Sequence, residues 1–425
     1  MKPFSRRTHV LQWIDRRVGV PICWLLTIAR RVGDLFSRET AGMAGPRPSG
    51  TGSLLFVKFA EQGSTVLAHG AISEAVARVG RDRVHFLVFE ENRFIVDLLG
   101  LIPESNVHVI RTRSFGAMVT SAAHSLSHLR HLRIDACVDL EFFSRFSAAV
   151  CYLIGSATRV GFHTYFGEGP YRGNLFTHRV LYNPHLHTSA TFSSLVRALD
   201  VGPASLPAFD ALPTVPPALP RFQPAESERA DVIRILSTLG VTEDTRLILL
   251  NSNASDLLPL RKWNAANYVD LARRLISAFP EVHIAFTGGA DEAAASEALA
   301  REVGSARAHC LAGRTTLRQL LVLCGLSEVL VTNDSGPAHF AALTEIDVVA
   351  LFGPETPLLF AASGPRSHTL WAGLVCSPCV NAFNNRQTAC TNNVCMQRIT
   401  VDQVLDKVSS IYRLRAARPA SAATT

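Results

Sequence analysis

The sequence predicts an α/β protein of two domains, each built on a parallel sheet. Three observations carry this. Short apolar runs alternate with helical segments along most of the chain, the signature of βαβ units. The 425 residues leave room for two to three domains of ordinary size. Residues 202–224 hold seven of the 22 prolines and show little periodicity, which marks an interdomain linker. The chain is 48% hydrophobic and 18% charged, as a globular protein is. It has no run of 18 apolar residues, so no spanning helix is expected. Residues 1–40 carry eight Lys and Arg against Asp15, Asp34 and Glu39, which is +5 of the net +7. A basic folded face with aromatics is missing, which argues against a nucleic-acid partner.

Taken in order, residues 1–50 form a basic N-terminal segment. Within it VGVPICWLLTIA (18–29) is uncharged and flanked by Arg16-Arg17 and Arg30-Arg31. Twelve residues are too few to cross a bilayer. Three readings stand: an interfacial helix on an anionic membrane surface, a structural helix packed on the body, and a secretory signal ending near Ala41-Gly42-Met43-Ala44. The Gly/Pro-rich stretch 42–52 is a linker. The first domain, 51–201, reads as strand 54–59, helix 66–79, strand 84–89, helix 92–101, strand 107–110, helix 114–131, strand 134–140 and helix 143–154. Residues 156–190 are rich in Gly, His and aromatics and read as a loop region.

The second domain, 225–412, reads as helix 225–239, strand 247–250, helix 265–279, strand 282–286 and a helix ending at Val303. Helix 317–325 follows, and helix 399–415 closes the chain before a polar tail; 413–425 is taken as disordered. Its centre is SEVLVTNDSGPAHFAALTEIDVVALFGPETP (327–357). Val329-Leu330-Val331 is a strand, 332–337 a polar turn, 338–343 a helix with Pro337 in its first turn, and 347–352 a second strand. A loop at the carboxyl end of a parallel strand is where open α/β sheets bind ligands. Amides at a helix N-terminus suit a phosphate. The plain alternative is a helix cap followed by ordinary turn chemistry.

NDSGPAHFAAL followed by VVALFGPETP resembles the nucleotide-binding signature of glycosyltransferase family 9, the heptosyltransferase-like enzymes of bacterial surface polysaccharide synthesis. The positions that carry the resemblance are Asp334, Ser335, Gly336, His339, Phe352, Gly353, Thr356 and Pro357. It covers about residues 53 to 405 and is strongest in the second domain. It implies a GT-B fold, two Rossmann-like domains whose parallel sheets face across a cleft, with the sugar nucleotide on the C-terminal one. It further implies donor contacts from Asp334, Ser335, Gly336, Pro337 and His339. A cation comes from Arg261 or Lys262, whose register against the family's Lys is open. Asp291 or Glu292 would hold the ribose, and Thr316 would lie near the base.

In the first domain the family places an Asp in the loop after the first strand as base for the acceptor hydroxyl. Here that loop is Glu61-Gln62-Gly63-Ser64. Gly63 keeps its place, but Ser64 stands where the Asp would be. A serine does not take up a proton at neutral pH, so Glu61 is the candidate base and Gly63 and Ser64 the acceptor-side loop. The implied reaction moves a sugar, heptose-like or another, from an ADP-heptose-like or other nucleoside-diphosphate donor to a glycan or lipid-linked acceptor. Inversion follows from the family, and no catalytic metal is needed, since no acidic metal-binding pair adjoins the loop. The enzyme would be cytoplasmic, peripheral on the inner face of the membrane. The rivals are a non-catalytic nucleotide-binding scaffold that lost the loop Asp, and another GT-B enzyme such as a sugar-nucleotide epimerase.

Cys376, Cys379, Cys390 and Cys395 lie within twenty residues and include a CxxC pair, as in a zinc knuckle. Structural zinc, one or two disulfides, and free thiols all fit that spacing. The other five cysteines sit singly in apolar runs and read as small buried residues.

Overall fold

The computed structural model describes residues 13–40, 52–167, 169–206, 218–254 and 258–417. They fall into two compact units. One holds the described residues up to 206 together with Asn381–Gln387, and the other holds the remainder from Ala218 onward.

The first unit is a six-stranded parallel sheet of β1 (Leu54–Val57), β2 (Val84–Phe89), β3 (Val107–Ile110), β4 (Ala136–Asp139), β5 (Thr158–His163) and β6 (His178–Leu181), in the order β3-β2-β1-β4-β5-β6. The second is another such sheet, of β7 (Arg246–Asn251), β8 (Val282–Phe286), β9 (Ala308–Cys310), β10 (Val329–Asn333), β11 (Asp347–Phe352) and β12 (Ser367–Trp371), ordered β12-β11-β10-β7-β8-β9. Both orders are the doubly wound one, in which the chain reverses direction between the first and fourth strands of the sheet. The central strands are apolar without alternation because helices cover both faces. β1, β4, β10 and β11 are buried at every position. The reversal point, where doubly wound sheets bind ligands, lies between β1 and β4 in one unit and between β7 and β10 in the other.

Most expected elements occur within one or two residues of their expected ends. The first helix does not. It begins at Gln62 rather than Val66, because Glu61 adopts φ 69° and turns the chain directly out of the strand. The stretch 156–190, expected as a loop region, instead contains β5, β6 and the start of helix Thr188–Arg197. Gly161 explains part of this: a Cβ there would lie 2.6 Å from the Phe176 ring, so the glycine lets that ring close over β5. β9 and β12 have no counterpart in the sequence reading. Of the proline-rich linker, 207–217 lies outside the described residues. The last helix, Val401–Ala416, runs into the segment expected as a tail, of which 418–425 lies outside the described residues.

The N-terminal hydrophobic stretch is the helix Gly19–Thr40, longer than its uncharged core. Its inner side is part of the first unit. Cys23 is fully buried, and the Thr27 hydroxyl accepts from Asn174 N at 2.9 Å. Arg30 donates to the carbonyls of Asn174 and Phe176. Just before it, the Asp15 carboxylate accepts from the amides of Arg145 (2.9 Å) and Phe146 (2.8 Å), satisfying donors at the start of helix Arg145–Ile154. Packing of this kind favours the structural reading of the segment over a secretory signal.

Candidate functional site

In the second unit every candidate residue lies past the carboxyl end of a strand. Asn333, fully buried at the end of β10, ties the reversal point together. Its amide donates to the carbonyls of Ser252 and Asn253 (3.1 Å each) in the loop after β7, and its Oδ1 accepts from Trp263 N at 3.0 Å. Trp263 is itself locked, edge-on to Tyr268 and with its indole N–H donating to Ile399 O at 2.8 Å. Two basic residues stand directly before that anchor. Arg261 reaches the loop, its Nη1 donating to Asp334 O at 3.2 Å and lying 3.6 Å from Asp334 Oδ2. Lys262 is the neighbouring cation, and its carbonyl accepts from Asn393.

The loop after β10 carries Ser335, whose hydroxyl donates to Asn333 O at 3.1 Å, and then the helix Gly336–Ala341. Pro337 has no N–H, so among the expected donor contacts at 335–337 only Ser335 and Gly336 can offer an amide. His339 is buried one turn in. The Glu292 carboxylate accepts from Gly289 N at 2.8 Å, closing the Gly-Gly turn after β8, beside exposed Asp291. Thr316 forms a reciprocal cap with Gln319 at the start of helix Leu317–Gly325. Gly313 N donates to Gly288 O at 3.0 Å, and Asn253 reaches Thr287 O, so the loops after β7, β8, β9 and β10 form one connected rim.

One member of this rim escaped the sequence reading. Glu355, after Phe352-Gly353-Pro354, is 2% exposed and shares its surroundings with Asp334 and Arg261. Burial, and then the Asp334 charge, push Glu355 up to about 8, against the pull of Arg261. Burial raises Asp334 as well. Two carboxyls and one guanidinium in a dry space favour a shared proton. Within this trio Arg261 Nε and Asp334 Oδ2 are buried and make no hydrogen bond.

The sign of the resulting pH dependence follows. A carboxyl raised in the fold binds more protons folded than unfolded between its ordinary range and about 8, so stability falls as pH rises through that window. Glu355→Gln, which cannot ionise, is expected to melt higher than the parent near pH 8 and to lose much of the decline between about pH 5 and about pH 8. Parallel melting curves for the two proteins across that range would contradict the assignment.

In the first unit Glu61 sits in the loop after β1 with a left-handed backbone, unusual for a residue with a side chain. Its carboxylate pairs with Arg386, lies 3.9 Å from Lys58 Nζ and accepts from the Ser64 hydroxyl at 3.3 Å. Ser64 was expected in the acceptor-side loop. It lies instead in the first helical turn and donates back to Glu61 O at 2.9 Å, while Gly63 is buried beside it. Arg386 comes from Asn381–Gln387, and both it and Asn385 have positive φ (56° and 52°). Burial lowers Arg386 to about 10.

Beneath this loop lies a second residue the sequence did not reveal. The Glu141 carboxylate, past the end of β4, accepts from the amides of Phe59 (2.6 Å) and Ala60 (3.0 Å) and pairs with fully buried Lys58 at 3.3 Å. It fixes the backbone from which Glu61 projects.

The zinc expectation for Cys376, Cys379, Cys390 and Cys395 does not match the arrangement. Among the described residues no group of three or more His, Cys, Asp or Glu side chains could hold a metal ion. None of the four is in a disulfide. Cys376 and Cys390 are exposed and Cys379 half-buried, whereas Cys395 is buried in the helix Val394–Gln397, against Gly353.

Residues 129–389 match the family model described as glycosyltransferase family 9 (heptosyltransferase). The chain is 30% identical over 263 residues to lipopolysaccharide heptosyltransferase 2 of Escherichia coli K12, covering 61% of this chain and 72% of that protein. It is 33% identical over 140 residues to lipopolysaccharide heptosyltransferase 2 of Salmonella typhimurium LT2, covering 32% of this chain but only 39% of that relative. The solved structure of E. coli ADP-heptose lps heptosyltransferase II superposes with a TM-score of 0.64 at 18% identity, over 86% of this chain and 100% of the other. At that identity the likeness shows a shared fold, the paired Rossmann-like sheets of GT-B proteins.

Proposed function

Since this chain belongs to glycosyltransferase family 9, we propose that it transfers a heptose-like sugar from an ADP-heptose-like or other nucleoside-diphosphate donor to a hydroxyl of a bacterial surface glycan or its lipid-linked precursor. The observation that carries the donor half is the Arg261–Asp334 pair at the reversal point of the second sheet. Asp334 aims the guanidinium, and the unsatisfied Arg261 Nε is a buried donor suited to a diphosphate oxygen. Lys262, the amides of Ser335 and Gly336, the Ser335 hydroxyl and His339 complete the phosphate side. Asp291 or Glu292 would take the ribose, and Thr316 would lie near the base.

Catalysis by this set is stabilisation of charge developing on the leaving diphosphate. The cationic and amide donors match that charge directly, which supports a metal-independent reaction. Glu61 acts as general base on the acceptor hydroxyl, and direct displacement inverts the anomeric carbon. The partners are the donor, the glycan or lipid-linked acceptor and an anionic membrane surface, with the enzyme working on the cytoplasmic side of the inner membrane. A non-catalytic nucleotide-binding role has its own support, in Ser64 at the usual Asp position and in the pairing of Glu61 with Arg386.

The donor site is tested by calorimetry with ADP. Asp334→Ala and His339→Ala are each expected to weaken binding about tenfold or more, about 1.4 kcal/mol, with an unchanged circular dichroism spectrum. Unaltered affinity in both variants would remove the loop from the donor site.

A further inference from the structure

The helix Gly19–Thr40 has two faces of different chemistry. Its inner face, with Gly19, Cys23 and Thr27, is built into the first unit. A Cβ on Gly19 would lie 2.8 Å from Arg145 Cβ, so that packing is close. The opposite face should be polar in an ordinary surface helix. Here it is the stripe Pro21, Trp24, Leu25, Ile28, Val32 and Leu35, repeating every three or four residues and exposed throughout. Trp24 is 56%, Leu25 58% and Leu35 64% exposed, and Trp13 continues the stripe at 59%. An exposed apolar stripe running along a helix in this way marks an interaction site.

Charge decides what covers it. Arg17 and Arg31 border the stripe and are exposed. Asp34 lies toward the inner side and pairs with Arg30 at 3.7 Å, and Asp15 is committed to helix Arg145–Ile154. Two copies of the chain meeting on this face would set arginine against arginine. An anionic bilayer instead offers phosphates to both arginines, an interfacial layer for the two indoles and acyl chains for the aliphatic residues. Among the described residues no helix is long and apolar enough to cross a membrane.

We infer that the outward face of this helix is a lipid-docking surface, lying in the plane of an anionic membrane and rigidly joined to the first unit. The inference rests on the membrane-surface partner proposed above and assigns that partner to these residues.

The test is flotation of the full chain with vesicles of phosphatidylglycerol and phosphatidylcholine, and with phosphatidylcholine alone. ADP binding and light scattering are measured on the same samples. The parent protein should float with the anionic vesicles only. Trp24→Ser/Leu25→Ser/Ile28→Ser should bind them at least about tenfold less. Arg17→Gln/Arg31→Gln, a milder change that leaves the apolar stripe intact, should lose roughly fivefold per arginine. ADP binding should be the same in all three. Absent flotation of the parent, or equal flotation of both variants, overturns the inference and leaves the donor reading untouched. A parent that ignores vesicles but is dimeric, and becomes monomeric in the triple variant, assigns the face to a second copy and also overturns it. Flotation as expected with no ADP binding in any protein supports the docking surface and counts against the donor reading instead.

Discussion

Turnover of the Glu61→Gln protein is expected to fall by about 10²–10⁴-fold, the usual contribution of a general base, with ADP affinity unchanged. Gln keeps the size and hydrogen bonding of Glu but accepts no proton. Glu61 already stands in the loop after β1 with its backbone held by Glu141 through Phe59 N and Ala60 N. Arg386 and Lys58 stand beside its carboxylate. Two further variants separate chemistry from structure. Glu61→Asp retains the charge on a shorter arm and should keep part of the activity. Ser64→Ala removes a hydroxyl that donates to Glu61 and should cost little turnover. Wild-type turnover in Glu61→Gln would sink the assignment and shift weight to the non-catalytic reading.

Arg261→Ala is expected to lower turnover by about 10²–10³-fold, the loss seen when one preorganised donor to a developing negative charge is removed. Donor affinity should fall as well, because the same guanidinium meets the diphosphate in the ground state. The variant also leaves Asp334 and Glu355 buried without their cation. Both should then hold protons more tightly, and unfolding should become easier at alkaline pH, where those protons are removed. Arg261→Lys keeps a charge but loses the fork, so it should recover stability better than turnover. Lys262→Ala should have the smaller effect, since Arg261 is the cation paired with Asp334. The reverse ranking of these two alanine variants would reassign the phosphate cation.

The fold was legible where physics is local. Val84–Phe89, Val107–Ile110, Val282–Phe286 and Asp347–Phe352 are mostly apolar runs with clear ends, each with a single polar residue, and the strands have those bounds. β12, SHTLW, is half-buried along its length and mixes polar with apolar residues, so it gives no pattern to read. β5 and β6 were hidden by their polar and glycine residues; Gly161 is needed because a Cβ there would meet the Phe176 ring, a tertiary fact. The first helix start was missed because a glutamate with positive φ is invisible to propensity.

The candidate site divides in the same way. Asp334, Ser335 and His339 lie in one short stretch whose spacing can be recognised. Glu141 supports the Glu61 loop from 82 positions away, and Arg386 reaches Glu61 from still further along the chain. The first pairing follows from strand order, which brings β1 beside β4, and the second from the return of Asn381–Gln387 to the first unit; neither has a local sequence signal. Glu355 is the intermediate case. An acid directly after Phe352-Gly353-Pro354 could have been flagged as a strand-end residue, but its closeness to Asp334 and Arg261 could not. The outward stripe of the N-terminal helix was half legible: its apolar content showed in the sequence, but only the packing of Cys23 and Thr27 shows which side is left over.

The central claim is that a nucleoside-diphosphate sugar bound at the β10 loop gives up its sugar to an acceptor. The most direct measurement is ADP release from ADP-heptose by the purified full chain, with and without lipopolysaccharide-precursor extract, read by mass spectrometry of both nucleotide and acceptor. The account predicts ADP release that depends on the extract, a matching gain of one heptose in an acceptor species, and near-complete loss of both in Glu61→Gln. ADP-heptose that binds yet stays intact with every acceptor fraction would contradict it, and would identify the chain as a nucleotide-sugar binder without transfer.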